Sequence, residues 1–373
     1  MKILFACGGT AGHINPAIAV ATILRRRDPE IQILFAGNPD KMEAQLVPAA
    51  GFDFTPIRVE GLQRSLSWTN IKRNLSAARC LLTASGKAKK ILREFAPDVV
   101  LGTGGYVSGP VLRAAAKMGY PTLTHESNAY PGITTKLLSR EVDKVLLAME
   151  KAKDYLPEGK NYIVTGNPLR PEVLEADRAE ARKKLGIGER FAVLSFGGSN
   201  GAEKVNEALA ELMAKTVPTG RFHHIHATGR FGAEEFPQSL RKLGVDPAGE
   251  HLDIREYIAD MADCLAAADL VICRSGAMTL VELEAAGRAA ILIPSPNVAE
   301  NHQYHNGKVL ADEGAALLIQ EKDLDGEKLY AMVRELADDP DKLHTLERNA
   351  RALAITDGAE RIVAEILDST AKR

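Results

Sequence analysis

The feature that most narrows what this chain can fold into is a pattern stated twice. Ile3 to His13 reads Ile-Leu-Phe-Ala-Cys-Gly-Gly-Thr-Ala-Gly-His, and Ala192 to Ala202 reads Ala-Val-Leu-Ser-Phe-Gly-Gly-Ser-Asn-Gly-Ala. Each is an apolar β-type run, then Gly-Gly-x-x-Gly, then a helical pattern. Glycine lets the backbone turn sharply and lets a ligand approach the bare peptide. The helix that follows offers unpaired N–H groups and the positive end of its dipole. One such loop reads equally as a tight strand-to-helix turn. Two of them predict two Rossmann-like halves, each built to hold something anionic at the carboxyl ends of its strands.

The rest of the chain keeps the same alternation. Strands are expected at Ile31–Ala36, Val99–Gly102, Thr122–His125, Val145–Leu147 and Tyr162–Thr165, and again at Phe191–Phe196, Phe222–Ala227, Leu252–Arg255, Leu270–Cys273 and Ala290–Ile293. Helices are expected at Pro16–Arg27, Met42–Ala50, Ile71–Glu94 and Pro110–Met118, then at Ala202–Lys215, Met278–Ala286 and His302–Glu313. Strands alternating with helices imply parallel sheets covered on both faces, and the near-continuous apolar strands agree. A length of 373 residues suits two domains. Pro157, Gly159, Gly166, Pro168 and Pro171 punctuate the middle, which places the expected domains at 1–162 and 163–356.

Composition removes several functions. The net charge is 47 − 49 = −2 and only 5% of residues are aromatic, so nucleic acid is not an expected partner. Cys7, Cys80, Cys264 and Cys273 form no C-x-x-C pair, which reads as reduced thiols of a cytoplasmic protein. Lys2–Cys7 is too short for a signal sequence, and no run of about 18 apolar residues occurs to span a membrane. One segment departs from neutrality. Residues 62–93 carry Arg64, Lys72, Arg73, Arg79, Lys87, Lys89, Lys90 and Arg93 with no acid, around Trp68, the only tryptophan. With Ile71, Leu75, Ala78 and Leu82 at helical spacing, it reads as contact with an anionic membrane surface, or as a core stripe under a solvated charged face.

Five loops after expected strands concentrate the chemistry: Gly8–His13, Gly102–Gly109, His125–Asn128, Gly197–Asn200 and Cys273–Glu282. None is a Walker A loop or a G-x-G-x-x-G, so neither NTP hydrolysis nor NAD is indicated. Glycine loops without a phosphate-loop lysine suit a ready-made diphosphate held by backbone amides. His13, at a helix start, is a candidate general base or else a terminus residue bonding its own loop. Glu282 could accept two ribose hydroxyls, or close a capping box with Thr279. Gln303, in Glu300–Asn306, could read sugar hydroxyls or belong to a solvated first turn. Asp339-Pro340-Asp341 reads as a cap, and His302 with His305 lacks partner carboxylates, so no metal site is expected.

Taken in order, these motifs resemble the MurG family of bacterial peptidoglycan glycosyltransferases nearly end to end. The carriers are Gly8–His13 with Pro16, Leu101–Pro110, His125–Asn128, Gly166–Arg170, Phe196–Ser199 and Cys273–Thr279. The resemblance implies a GT-B fold, two Rossmann-like domains with parallel sheets facing an interdomain cleft, and a C-terminal helix, 357–373, joined to the first domain. It implies transfer of N-acetylglucosamine from UDP-N-acetylglucosamine to the C4 hydroxyl of undecaprenyl-pyrophosphoryl-N-acetylmuramoyl-pentapeptide (lipid I to lipid II), with inversion, during cell-wall synthesis. No metal or other cofactor is implied, and the enzyme would sit on the cytoplasmic face of the cell membrane as a peripheral protein. His13 would be the base, with Glu126 in reserve. The nucleotide sugar would meet Arg170, Ser199, Ile258, the helix start Ala277, Met278, Thr279, Leu280, Val281 and Glu282, and Gln303, with Thr10, Ala11, Gly12 and Asn128 closing on the sugar. Gly104, Gly105 and Tyr106 would face the acceptor. Ala11 stands where the family usually has glycine, which the loop tolerates if the backbone angle there is ordinary. A sugar-nucleotide 2-epimerase, a diacylglycerol glycosyltransferase and a non-catalytic nucleotide-sugar binder remain open; acceptor-dependent UDP release separates the first and third, and acceptor choice the second.

Overall fold

The computed structural model describes residues 1–59 and 83–371. The chain divides into two units, Met1–Pro168 with Thr356–Arg373, and Leu169–Ile355.

The first unit is built on seven parallel strands: β1 (Lys2–Cys7), β2 (Gln32–Gly37), β3 (Asp53–Pro56), β4 (Val99–Gly104), β5 (Thr122–Glu126), β6 (Lys144–Leu147) and β7 (Tyr162–Val164). They lie in the order β3-β2-β1-β4-β5-β6-β7. The sequence winds outward in both directions from the β1–β4 pair, so the loops after these two strands meet at the point where the strand order reverses. Open α/β sheets place ligands at such a point. Phe5 and Phe35 are in register and their rings stack at 4.9 Å. Both faces of the sheet are covered, as the apolar strands require.

The short edge strand β3 escapes the sequence pattern because it is half-exposed and ends in Pro56. The first helix begins at Ala11 rather than Pro16, and carries Pro16 inside it. Ala11 is therefore an ordinary helical residue, absent from the positive-φ positions. The first unit extends past residue 162 because β7 pairs with β6 along Tyr162–Val164. The closing helix, Gly358–Ala371, completes this unit: Ile362, Val363 and Ile366 are buried in one cluster with Ile3, Phe5 and Ile14. The Lys144 ammonium donates to Glu365 and Asp368 of that helix at 2.6 and 2.7 Å.

The second unit repeats the plan with β8 (Phe191–Phe196), β9 (Phe222–Ala227), β10 (Leu252–Arg255), β11 (Leu270–Cys273), β12 (Ala289–Leu292) and β13 (Leu317–Leu318). Their order, β10-β9-β8-β11-β12-β13, reverses between β8 and β11. The two-residue β13 is too short to show in the sequence. The structure thus has the two parallel, Rossmann-like sheets expected from the repeat.

Of the basic segment, residues 60–82 lie outside the described residues, including Trp68, Cys80 and the stripe from Ile71 to Leu82. Residues 83–95 are helical, with Ala84, Ala88, Ile91 and Leu92 buried and Lys87, Lys89, Lys90 and Arg93 exposed. That part is a core stripe under a charged face. No helix among the described residues is long and apolar enough to cross a membrane. Cys7, Cys264 and Cys273 are buried free thiols. Asp339 caps the helix Pro340–Leu353 through the Lys342 amide, as its sequence position suggested.

Strand β9 carries three buried histidines. His226 Nδ1 meets the Ser195 carbonyl at 3.2 Å and the Ser195 hydroxyl at 2.9 Å, and His224 Nε2 meets Thr216 Oγ1 at 2.8 Å. Burial pushes His224 down to about 3 and His226 to about 4, the Ser195 carbonyl acting slightly the other way. Above about 6.5 both rings are neutral whether the chain is folded or not. Below that the unfolded chain takes protons that the fold refuses, so stability is lost as pH falls toward 4. For His226 the loss approaches about 3 kcal/mol, at 1.36 kcal/mol per pH unit. Urea midpoints measured from pH 7 to 4 should show a flatter decline in His226→Leu than in the unmodified chain.

Candidate active site

In the first unit the loops after β1 and β4 are fitted to one another without side chains. A Cβ on Gly105 would stand 2.1 Å from the Gly8 carbonyl oxygen, and a Cβ on Gly104 would stand 2.6 Å from Cδ2 of the His13 ring. Gly104 and Gly105 also sit at positive φ, 108° and 79°. His13 occupies the first turn of the Ala11–Arg27 helix and is half-buried. Thr103 Oγ1 donates to the His13 carbonyl at 2.7 Å, tying the helix start to the β4 loop. The ring's Nδ1 lies 3.2 Å from the Gly8 carbonyl and 3.3 Å from Thr10 Oγ1. A carbonyl only accepts, so that contact is a hydrogen bond when Nδ1 carries the hydrogen, which puts the ring's basic lone pair on Nε2. Tyr106 is more than half exposed beside the loop.

Glu126, the reserve base of the sequence reading, is held by donors of the loop that follows it. It ends β5 and is buried, and its carboxylate accepts four hydrogen bonds: from the Asn128 amide and side chain at 3.1 and 3.0 Å, from the Gly132 amide at 3.0 Å and from Thr135 Oγ1 at 2.6 Å. These bonds brace the loop that follows β5. Asn128 is held in place by that bracing. The neighbouring His125 is buried, with Nε2 against the Gly166 carbonyl at 3.0 Å, and burial lowers its pKa.

In the second unit the loops after β8 and β9 zip together. Arg230 and Phe231 amides donate to the Ser199 and Asn200 carbonyls, both at 3.1 Å, and a Cβ on Gly229 would stand 2.0 Å from the Gly201 nitrogen. Ser199 is exposed at the tip. After β11, Gly276 caps the helix Ala277–Ala286 by backbone alone. Thr279 is therefore inside the helix, and the capping box with Glu282 does not form. Glu282 instead accepts from Arg170 Nε at 2.7 Å. Burial works against the Arg170 cation, and the Glu282 carboxylate outweighs it, holding the guanidinium above its usual pKa. Leu280 and Val281 turn their side chains into the core, and the Leu280 amide is spent on the Gly276 carbonyl. The amides that a first turn leaves open are those of Ala277, Met278 and Thr279. Ile258 is buried just beyond β10.

A cavity of about 750 Å³ lies between these loops, lined by Gly198, Gly201, Lys204, Arg274, Thr279 and Gln303 among others. Gln303 is oriented by the Ser295 amide, which donates to its Oε1 at 2.9 Å. Just before it, Glu300 and Asn301 both hold positive φ, 55° and 51°, a strained turn that sets the start of the His302–Asp312 helix. Arg274 bridges the Ile293 and Pro294 carbonyls and pairs with Glu321. No cluster of three or more metal-ligating side chains occurs among the described residues.

Comparison with known proteins covers both units. Residues 3–147 match the glycosyltransferase family 28 N-terminal domain, and residues 192–362 match its C-terminal domain. A UDP-N-acetylglucosamine–N-acetylmuramyl-(pentapeptide) pyrophosphoryl-undecaprenol N-acetylglucosamine transferase of Acetivibrio thermocellus is 43% identical over 99% of this chain and 98% of its own. The enzyme of the same name from Desulforamulus reducens is 42% identical over 97% of each. This chain belongs to the MurG family of glycosyltransferases. The crystal structure of Acinetobacter baumannii MurG superposes with a TM-score of 0.79 at 29% identity, covering 98% of this chain and 99% of that one. As a member of the family it is a UDP-sugar hexosyltransferase of the GT-B fold.

Sequence reasoning missed Glu43 and the Arg274–Glu321 brace. Glu43 is fully buried and its carboxylate accepts from the Gly9 amide at 3.1 Å and the Asn38 amide at 3.0 Å. A single acid near a helix start reads as surface, and nothing in the spacing reveals that Gly8 and Gly37 leave room for it. The fit of the glycine loops can be tested directly. Gly105→Ala should cost roughly 2–4 kcal/mol in urea unfolding, from strain at positive φ plus the clash with Gly8. Gly119→Ala, with positive φ but open space around it, should cost only about 1 kcal/mol.

Proposed function

We propose that this chain transfers N-acetylglucosamine from UDP-N-acetylglucosamine to the C4 hydroxyl of lipid I, forming the β-1,4 link of lipid II with inversion. The observation that carries the reading is near full-length identity above 40% to transferases of that name, with both glycine switch points intact. The acceptor oxygen attacks the anomeric carbon, and the bond from that carbon to the β-phosphate oxygen breaks. UDP departs with the electron pair. His13 Nε2 receives the hydroxyl proton, a contribution of about 10²–10⁴ in rate for a well-placed base.

The second unit holds the donor. In this reading the Ala277, Met278 and Thr279 amides and Ser199 bind the diphosphate, Glu282 and Arg170 address ribose and phosphate, Ile258 borders the base and Gln303 reads the sugar. Thr10, Ala11, Gly12 and Asn128 bind the sugar from the first unit. Gly104, Gly105 and Tyr106 receive the acceptor. Glu126 serves as the brace of the Asn128 loop. Backbone amides and Arg170 oppose the charge that grows on UDP, so turnover should survive chelation with EDTA. The basic segment 62–93 meets an anionic membrane surface at its cytoplasmic face, where lipid I is presented, through its charged residues, the exposed Lys87, Lys89, Lys90 and Arg93 among them, while Ala84, Ala88, Ile91 and Leu92 stay in the core, and nucleic acid plays no part.

The deciding assay is UDP release from UDP-N-acetylglucosamine with and without a lipid I analogue. Release that requires the analogue is expected; release or epimerisation of donor alone would overturn the reading. His13→Ala should keep UDP binding and lose about 10²-fold or more in kcat. Glu282→Ala should weaken UDP binding itself about tenfold, since it removes a charged partner of the nucleotide site.

A further inference from the structure

We propose that Glu43 is a positioning residue for His13, acting through the single peptide group that joins Gly8 to Gly9. The inference rests on the reading of His13 as the base. The Gly9 N–H donates to Glu43 Oε2 at 3.1 Å, and the Gly8 carbonyl lies 3.2 Å from His13 Nδ1. These two groups are opposite ends of one planar trans peptide. Carboxylate, peptide and imidazole therefore form one line of hydrogen bonds: Glu43 accepts from Gly9, and Gly8 accepts from His13.

The line has three consequences. A carboxylate drawing on the peptide N–H polarises the group and strengthens its carbonyl as an acceptor. The strengthened carbonyl keeps hydrogen on Nδ1 and the lone pair on Nε2, the nitrogen that must take the proton. When it does, the imidazolium finds a negative charge at the far end of the line. A carboxylate bonded straight to an imidazole does this work in acid–base triads; here one amide intervenes.

The packing keeps the peptide from turning over. A Cβ on Gly8 would stand 2.2 Å from Glu43 Oε1, and the backbone of Gly105 closes on the Gly8 carbonyl from the other side. Glu43 is itself fixed by the Asn38 amide and is fully buried. The ionisable groups around the line are Cys7, whose thiol burial and Glu43 push up, His125, which burial holds low, and Glu126, which accepts from Asn128, Gly132 and Thr135. Thr10 Oγ1, 3.3 Å from Nδ1, shares that hydrogen as a second acceptor.

The test is Glu43→Gln, which keeps the size of the side chain and removes its charge. Nitrogen-15 NMR of histidine-labelled protein should show His13 as the Nδ1–H tautomer in the unmodified chain and a mixture in the variant. The kcat should fall about tenfold, on the scale of one charge-assisted hydrogen bond, while KM for UDP-N-acetylglucosamine stays within about twofold. The acid limb of the kcat–pH profile should move to lower pH, because the imidazolium has lost its distant counter-charge. An unchanged tautomer, kcat and acid limb would overturn the proposal, as would a kcat loss that merely follows the fraction unfolded. If His13→Ala retains full turnover, the base reading falls by itself; the tautomer measurement needs no turnover and still decides the relay.

Discussion

The first unit depends on a contact that excludes side chains. Gly8, Gly104 and Gly105 bring two loops so close that backbone carbonyl, imidazole and buried carboxylate occupy the space three Cβ atoms would need. Strand order creates the opportunity, because β1 and β4 are neighbours at the reversal and both loops leave from their carboxyl ends. Glycine then converts proximity into fit. The conformational entropy that glycine loses on folding is offset here by the closeness it permits. His13 is thereby held on several sides: its carbonyl by the Thr103 hydroxyl and its ring by the Gly8 carbonyl, with Gly104 close against the ring.

The second unit reaches a comparable end with different means. Its glycines lock neighbouring loops together at Gly201 and Gly229, and its polar side chains are tied to neighbouring groups of the same unit. Arg170 faces Glu282, Arg274 is tied to Glu321, and Gln303 is set by the Ser295 amide. Groups ordered beforehand lose less freedom when a ligand binds. The consecutive positive φ values of Glu300 and Asn301 belong with this, since strain of that kind persists only where the surroundings over-determine it.

The architecture was largely legible in the sequence because burial on both faces makes a strand a plain apolar run, and eleven such runs could be read, many of them separated by helical spacing. The exceptions are instructive. The β3 strand is half-exposed and β13 is two residues long, so neither carries the signal. Pro16 suggested a helix start, yet the helix begins a turn earlier at Ala11. The glycine loops, His13 and Gln303 could be found from position. Roles that depend on partners could not. Thr279 and Glu282 have the spacing of a capping box, and only the fold reveals that Arg170, 112 residues away, takes the carboxylate. The donors that Glu126 gathers from Asn128, Gly132 and Thr135 leave no mark in the sequence, and neither does the burial of Glu43.

The closing helix has a consequence for how the molecule is made. The chain leaves the first unit at Pro168 and comes back to it at Thr356, bringing Ile362, Val363 and Ile366 to a core that already holds Ile3 and Phe5. At ribosomal speeds of about 5–20 residues per second, the half born first waits roughly ten to forty seconds for its last wall. The half born second has no such debt to the terminus and can close earlier. Order of birth and order of completion are thus reversed, and the nascent polypeptide carries an open apolar seam along the strands of its first unit until the helix Gly358–Ala371 has been made.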